Sequence, residues 1–453
     1  MKLTSLVSRR VAIWGIGEEG AAFARLLIER GSTPVLVDDD PSTAARRASS
    51  VAGIELVIHP PETAVLRAVD VIVRSPGVSR YRPELVDASS HGVTVTTPMA
   101  MWLEDFEHAP VLAITGTKGK STTATLAAGI LRHSGSRVAL VGNIGVPVTD
   151  LYGGDDADAY VVEVSSYQAA EVTVSPPVCV LTSLAPDHLD WHGGVEAYYR
   201  DKLRLLSAGP PRSLAVNAAS HEAVSRTAGH PGRILYGDGG RVRAESGWVT
   251  IDDVQLVEYS GLRAPGAHNV ANLCGAIAGA LLLTGAAPSA RAVATTIEEF
   301  AGLPSRCQTI GTKDGVEYVD DALASNPFAT TASVASYPHR PMTLILGGAD
   351  RGVDFASLAE AVVTRAPPPR IVVIPPDGGR IVDSLGTVGD QRRVSLSVVE
   401  AADLGDATRV AGEITPPGGV VLFSPGAPTP EGHGGFGQRS RTFRAAFEAM
   451  APA

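Results

Sequence analysis

Along the first hundred residues, short apolar runs rich in β-branched residues alternate with longer stretches whose apolar positions recur at helical spacing. "RVAIWGIG" reads as a strand, "EEGAAFARLLIERG" as a helix ended by Gly31, and "TPVLVDDD", "VDVIVRSPGV" and "GVTVTT" as further strands. Such alternation predicts a parallel sheet with helices on its faces. The rhythm restarts near residue 108 with "VLAIT", "RVALVGNIGVPV", "DAYVVEVSSYQ" and "PVCVLTSLAPDHLDWHG", and closes on the helical patterns "NVANLCGAIAGALLLTG" and "AVATTIEEF". It begins a third time near "GLPSR" with "GVEYVDDALASNP", "MTLILGGADRGVDF", "RIVVIP" and "GVVLFSPGAPTP", interleaved with the helices "PFATTASVASY" and "FASLAEAVVTRA". The predicted fold is α/β in three domains, 1–107, 108–303 and 304–453, with a ligand clamped between them.

Composition narrows the function without naming it. A chain of 453 residues exceeds one ordinary core. Its net charge of −10, with no long basic run, argues against a nucleic-acid surface. Three cysteines, Cys179, Cys274 and Cys307, are far apart and form neither a disulfide framework nor a zinc spacing. The start lacks a signal-peptide cleavage pattern, and no apolar run approaches the roughly 18 residues of a membrane helix. A cytoplasmic protein without a membrane partner is expected.

Two turns carry candidate chemistry. Gly15-Ile16-Gly17-Glu18-Glu19-Gly20 fits G-x-G-x-x-G between strand and helix, with Asp38 at the end of the next strand. Glycines there let backbone N–H groups approach a diphosphate at a helix N-terminus. A nicotinamide or flavin dinucleotide, another diphosphate ligand, or packing alone all fit that pattern. The second turn, in "VLAITGTKGKSTTATLAAGIL", joins a strand to a helix through Gly116, Thr117, Lys118, Gly119, Lys120, Ser121 and Thr122. It is shorter than G-x-x-x-x-G-K-[ST], because Ile114 stands where the first glycine would be. Its amides favour a triphosphate, Lys120 adds a point charge, and the Ser121 hydroxyl suits magnesium. ATP is the expected ligand.

Glu163, at the end of the apolar strand "VVEV", is either a structural ion-pair partner or a magnesium carboxylate. The phosphate loop upstream favours the metal. In "APDHLDWHGG", Asp187, His188 and Asp190 gather polar groups after a strand; His188 is a loop residue or a second magnesium ligand. Lys202 lies on the amphipathic helix that follows, where a lysine is ordinarily solvated.

Together, T-G-T-K-G-K-S-T-T, G-N-I-G, E-V-S-S-Y-Q, A-P-D-H-L-D-W-H, D-K-L-R, H-N-V-A-N and L-P-S-R resemble, in order and across nearly the whole chain, the Mur ligases of peptidoglycan synthesis and the related folylpolyglutamate synthetases. The resemblance implies a Rossmann-like UDP-binding domain, a central P-loop-type ATPase domain and a Rossmann-like C-terminal domain. It is strongest to the branch that adds glutamate to UDP-N-acetylmuramoyl-L-alanine through an acyl phosphate. Implied cofactors are ATP and Mg²⁺, and the family suggests a monomer. Carried over by motif, Lys120, Glu163, His188 and Lys202 are catalytic. Ser121, Glu163, His188 and a carbamylated Lys202 hold metal. Asn272 meets adenine, Arg306 the phosphates and Asp321 the ribose. Gly15, Gly17, Asp38, Ser75, Gly77, Asn143 and Gln168 cradle the UDP substrate.

Departures from the family pattern cluster at the amino-acid end. Asp321-Ala322-Leu323-Ala324-Ser325-Asn326 replaces D-S-K-A-T-N, Arg351 stands for a lysine, and prolines and glycines reshape the path between Thr429 and Phe436. Ser325, Arg351, Thr429 and Phe436 are the expected amino-acid contacts. With "SPGAP", these changes resemble a divergent branch that attaches L-glutamate for a downstream epimerase, in preference to the D-glutamate ligases. An NAD-dependent oxidoreductase leaves the ATP loop, Glu163 and Arg306 unexplained. A non-catalytic ATP-gated binder leaves the lysine and carboxylate set unexplained, and a folylpolyglutamate-type ligase does not ordinarily carry a UDP-binding first domain.

Overall fold

The computed structural model describes residues 1–42, 44–45, 57–144, 146–154, 157–209, 212–262, 266–300, 302–349, 354–376, 378–430 and 435–450. Among them three sheets form the scaffold. The first contains β1 (Val11–Trp14), β2 (Val35–Val37), β3 (Ile58–His59), β4 (Val71–Arg74) and β5 (Thr94–Thr96), in the order β3-β2-β1-β4-β5. Every pairing in it is parallel. β1 and β4 are buried along their whole length, as strands covered by helices on both faces must be.

The second sheet contains β6 (Val111–Thr115), β7 (Val138–Gly142), β8 (Ala159–Glu163), β9 (Val178–Leu181), β10 (Ser213–Asn217) and β11 (Arg233–Tyr236). It continues through β12 (Val242–Glu245), β13 (Trp248–Ile251) and β14 (Val254–Glu258). Their order is β14-β13-β12-β11-β10-β9-β6-β8-β7. β6 therefore lies between β8 and β9, and the chain crosses it on the way from one to the other. In open α/β sheets ligands bind outside the carboxyl ends of strands at such reversals. The antiparallel ribbon β12–β14 has no counterpart in the sequence expectation. Its strands are short and partly exposed, so charged residues interrupt their alternation.

The third sheet contains β15 (Gln308–Lys313), β16 (Val316–Asp320), β17 (Met342–Leu346), β18 (Arg370–Val373), β19 (Val398–Glu400) and β20 (Val420–Phe423). The order is β15-β16-β20-β17-β18-β19, parallel except for β15 against β16. Contacts divide the chain into one unit of Met1–Gly261 with Val270–Ile297, and another of Leu262–Asn269 with Glu298–Ala453. The first two sheets thus share a unit.

Inside that unit the segment after β4 clamps the first sheet to the second. Arg74, fully buried, donates to Glu171 Oε1 at 3.3 Å and to the carbonyl of Tyr167 at 3.0 Å. Ser79 donates to the carbonyl of Trp191, and Tyr81 to the Asp201 carboxylate. A buried arginine is tolerated because both a carboxylate and carbonyls receive its N–H groups.

One expectation is corrected. The helix Ala267–Thr284 has 18 residues and is long and apolar enough to span a membrane by composition. Most of it is buried, and Cβ atoms placed on Gly275 and Gly279 would meet Tyr236, Leu112 and Val180. Its all-round hydrophobicity is that of a core helix.

Candidate active site

β6 ends at Thr115, and the turn Gly116–Gly119 leads into the helix Lys120–His133. Thr117 is anchored inward: its N–H donates to Ser183 O, and its hydroxyl pairs with Tyr198 Oη and Ala185 O. Thr117 is therefore a structural anchor of the turn, with both its hydroxyl and its N–H engaged. Lys118 is exposed, with Nζ 3.4 Å from Asp187 Oδ2 and its N–H bonded to Ser183 Oγ. Gly119 adopts φ +87°, and a Cβ there would lie 2.4 Å from Asn272 Oδ1. That approach requires glycine and sets Asn272 against the loop, where its Oδ1 accepts from Thr123 Oγ1. Ser121 is buried and Thr122 half-buried in the first helical turn.

Lys120 Nζ donates to the carbonyls of Gly116 and Thr117 at 3.0 and 3.1 Å. Lys202 Nζ also donates to the Gly116 carbonyl, at 2.8 Å, and lies 5.2 Å from the Tyr198 ring centroid. Unlike an ordinary lysine on an amphipathic helix, Lys202 is buried; only 2% of it is exposed. Burial, reinforced by the charge of Lys120, drives its pKa far below the ordinary lysine value. The helix Val195–Ser207 that carries it is polar on average, and charge patterning alone gives no sign that one lysine turns inward.

Glu163 ends β8, fully buried. Its Oε1 accepts from Asn143 Nδ2 at 2.8 Å, while Oε2 is buried without a hydrogen-bond partner among the described residues. Asn143 is thus a brace for this carboxylate. His188 is half-exposed in the left-handed region, at φ 51°, before the short helix Leu189–His192. Burial lowers its pKa, opposed by Asp187 and assisted by the charges of Lys118, Lys120 and Lys202. His188 therefore presents a neutral imidazole, the form that ligates metal. Gln168 is buried, and its Oε1 closes a capping box with Ser165.

A relay that sequence reasoning missed lies beneath these groups. Ser166 Oγ meets His192 Nε2 at 3.0 Å, His192 Nδ1 meets Asp201 Oδ2 at 2.7 Å, and Tyr81 Oη donates to Asp201 at 3.0 Å. Ser166, His192 and Asp201 are all at least 97% buried. Asp201 directly precedes Lys202, so the relay fixes the start of the segment that delivers the buried amine. The residues span four separate elements, and no local spacing exposes the connection.

In the first domain the Asp38 carboxylate accepts from the N–H of Ile16 at 2.7 Å, bracing the glycine turn. Ser75 Oγ donates to the carbonyl of Gly15. A Cβ on Gly20 would sit 2.0 Å from that carbonyl, which explains the third glycine. Gly17 and Gly77 have open space where a Cβ would stand.

In the second unit Asp321 is buried and accepts from Ser333 Oγ and Ser424 Oγ at 2.6 Å and from the Cys307 N–H at 3.1 Å. Burial raises its pKa to about 6 despite those bonds. Arg306 and Ser325 are exposed, Thr429 is half-buried, and Phe436 is exposed in the first turn of the helix Gly435–Ala449. Arg351 lies outside the described residues.

The donor set fits magnesium. It combines a buried carboxylate with a free oxygen, a hydroxyl at the phosphate loop and a neutral histidine. No three His, Cys, Asp or Glu side chains cluster among the described residues, so phosphate oxygens and water would complete such a shell.

Residues 9–97 match the MurD-like N-terminal domain of Mur ligases, and residues 114–280 the Mur ligase middle domain. A Micromonospora sp. protein named UDP-N-acetylmuramoyl-L-alanine–L-glutamate ligase is 39% identical over 458 residues, covering 98% of this chain and 97% of the relative. A protein of the same name from Salinispora tropica is 37% identical, covering 98% of each. Among solved structures, UDP-N-acetylmuramate–alanine ligase from Thermotoga maritima aligns with a TM-score of 0.63 at 20% identity, over 97% of this chain and 99% of that one. Folylpolyglutamate synthase from Mycobacterium tuberculosis aligns at 0.57 with 14% identity, over 79% and 96%. The two structures share the fold; the full-length relatives go further, and on them this chain belongs to the Mur ligase family.

Proposed function

We propose that the chain is an ATP-dependent ligase that joins L-glutamate to UDP-N-acetylmuramoyl-L-alanine in peptidoglycan precursor synthesis, releasing ADP and phosphate. The observation that carries this reading is the likeness, along 98% of the chain, to two proteins named for that reaction. The substituted amino-acid end of the site agrees with it.

A carboxylate is a poor acyl donor, so the alanyl carboxylate first takes the γ-phosphoryl group of ATP to give an acyl phosphate. Loop amides and Lys120 neutralise charge on the transferring phosphoryl group, where preorganised donors act most strongly. Asn272 beside the loop holds adenine, while Asp321 and Arg306 serve ribose and phosphates. The amine of glutamate then attacks the acyl carbon, and phosphate leaves with the bonding electron pair. Ser121, Glu163 and His188 would hold magnesium, which supplies further charge neutralisation at phosphate oxygens.

Lys202 has a distinct role in this reading. Burial favours its neutral amine, and a neutral amine adds carbon dioxide to form a carbamate and release a proton. The product is an anion near Lys120 and Lys118, with Asp187 and Glu163 also close by.

Gly15, Gly17, Asp38, Ser75 and Gly77 bind the UDP portion, with Asn143 and Gln168 toward the muramoyl end. Ser325, Arg351, Thr429 and Phe436 serve the amino acid. An L-configured product requires a downstream epimerase if a D-glutamyl unit is to follow. The test is product formation from Mg·ATP and UDP-N-acetylmuramoyl-L-alanine with L- and D-glutamate in parallel, scored by mass. Product with L-glutamate alone is expected; product with D-glutamate alone would replace this reading with the D-specific one.

A further inference from the structure

At the carboxyl ends of β17 and β20 one cation lies buried with no acid paired to it among the described residues. Arg439, on the helix Gly435–Ala449, is 7% exposed, and its Nη2 donates to the carbonyl of Gly347 at 2.5 Å. Its guanidinium carbon lies 5.2 Å from the centroid of the Phe423 ring. Nη1 is buried and has no hydrogen-bond partner among the described residues. Burial lowers its pKa to about 10, which leaves the group charged at neutral pH.

Neighbouring arginines are treated differently. Arg444, on the same helix, pairs with the buried Asp320 at 3.0 Å. Arg74, fully buried, pairs with Glu171. No ion pair within 4.0 Å is found for Arg439 among the described residues. A buried N–H of a charged group without an acceptor is costly, and such groups are ordinarily paired.

The surroundings show why the position suits an anion. Gly347 N donates to Pro425 O and Ala349 N to Pro428 O, tying the turn after β17 to the loop after β20. The Arg439 guanidinium is fixed to that joint through Gly347, on the loop pair that carries Thr429. These loops leave the carboxyl ends of adjacent parallel strands, the edge at which α/β sheets bind ligands.

Resting on the function proposed above, we infer that Arg439 is the specificity-determining anchor for the side-chain carboxylate of glutamate, with Nη1 as the donor. The reacting amine is on Cα, so the α end of the amino acid must remain free to meet the acyl phosphate. The γ-carboxylate is the end left to enter a buried, rigidly held cation. The same chemistry replaces the lysine charge lost where Leu323 stands in D-A-L-A-S-N.

The test uses the full chain with R439M and R439K, assayed with L-glutamate, L-glutamine and hydroxylamine. Hydroxylamine traps the acyl phosphate as a hydroxamate and needs no carboxylate anchor. The expected result is a KM for L-glutamate raised by about tenfold to a hundredfold in R439M, partly restored in R439K. Hydroxamate formation should fall far less, and the preference for glutamate over glutamine should collapse. An unchanged KM and preference in either folded variant overturns the assignment, and R439K carries the test if R439M melts non-cooperatively. Loss of hydroxamate and glutamyl product in equal measure makes Arg439 a structural residue and also overturns it. A wild-type protein that forms hydroxamate but joins neither enantiomer of glutamate brings down the functional reading itself, and this inference with it.

Discussion

Lys120 and Lys202 donate to one and the same oxygen, the carbonyl of Gly116, at 3.0 and 2.8 Å. Two ammonium groups converging on one acceptor repel each other, and the deeper one yields: Lys202 has its pKa driven down by burial and then by Lys120. The loop thus holds one cation at the site proposed for phosphate and, beside it, one amine whose charged form burial disfavours.

Lys202→Met tests that arrangement. Methionine keeps the length and apolar contact with Tyr198 while removing the buried amine. Relief of the amine's burial and loss of its hydrogen bond to the Gly116 carbonyl oppose each other, so Tm should change little in a thermal melt. Product formation should fall by at least ~100-fold. A lower Tm with turnover intact would mean that Lys202 is a structural cation.

Lys120→Ala removes the other half of the pair. Loss of a charge aimed at the transferring phosphoryl group is worth about 3–4 kcal/mol, or roughly 10²–10³ in kcat. Binding of the UDP substrate, measured by calorimetry, should be unchanged because the turn proposed to hold it lies in the first domain. Substantial turnover in this variant would remove Lys120 from the phosphate site.

How far the sequence announced these features depends on how local each one is. β1, β4, β6, β8 and β17 were readable because fully buried parallel strands are short, apolar and bounded by turns. The loop Gly116–Ser121 was readable because its chemistry is contiguous. Lys202 drew attention only through resemblance: its inward turn is dictated by Tyr198 and the Gly116 carbonyl, contacts made across the fold. His192 and Arg439 were silent for the same reason. Each owes its role to partners brought together from different elements, and the ribbon β12–β14 lacked a clean alternation to reveal it.

Glu19 gives a pH prediction. It sits in the glycine turn of the first domain, and burial raises its pKa to about 7, with Arg74 opposing. Below that pH the carboxyl is neutral; above it a negative charge stands beside the site proposed for a diphosphate. The KM for the UDP substrate should therefore rise by roughly twofold to fivefold between pH 6 and 8, the effect of one charge near a helix N-terminus. Glu19→Gln should flatten the profile, and a variant that keeps the wild-type slope would assign it elsewhere.

Asp321 makes a prediction of the same kind for stability. Its folded pKa, about 6, exceeds the ordinary 3.8. Its contribution is fully present below the unfolded value and is lost as pH rises through about 6. Asp321→Asn carries no such charge, so the variant should gain on the wild type by about 2–3 kcal/mol between pH 4 and pH 7.5. Urea melts at the two pH values measure the gap. A constant gap would show that the bonds from Ser333, Ser424 and Cys307 already compensate the charge.

The relay Ser166–His192–Asp201–Tyr81 is tested as a unit. If its members merely fill space, Ser166→Ala and His192→Phe should be additive, because independent sites add. If His192 transmits the position of Asp201 to Ser166, the double variant should depart from additivity by about 0.5–3 kcal/mol. His192→Phe alone should cost about 1–3 kcal/mol, since Asp201 loses its 2.7 Å partner but keeps Tyr81. The effect on catalysis follows from chain order: Asp201 precedes Lys202, so a loosened Asp201 lets the amine drift from the Gly116 carbonyl. A lower kcat with an unchanged KM for the UDP substrate is expected from steady-state assays of His192→Phe. Additive melts with unaltered kcat would reduce the relay to packing and leave Lys202 positioned by Tyr198 and the Gly116 carbonyl.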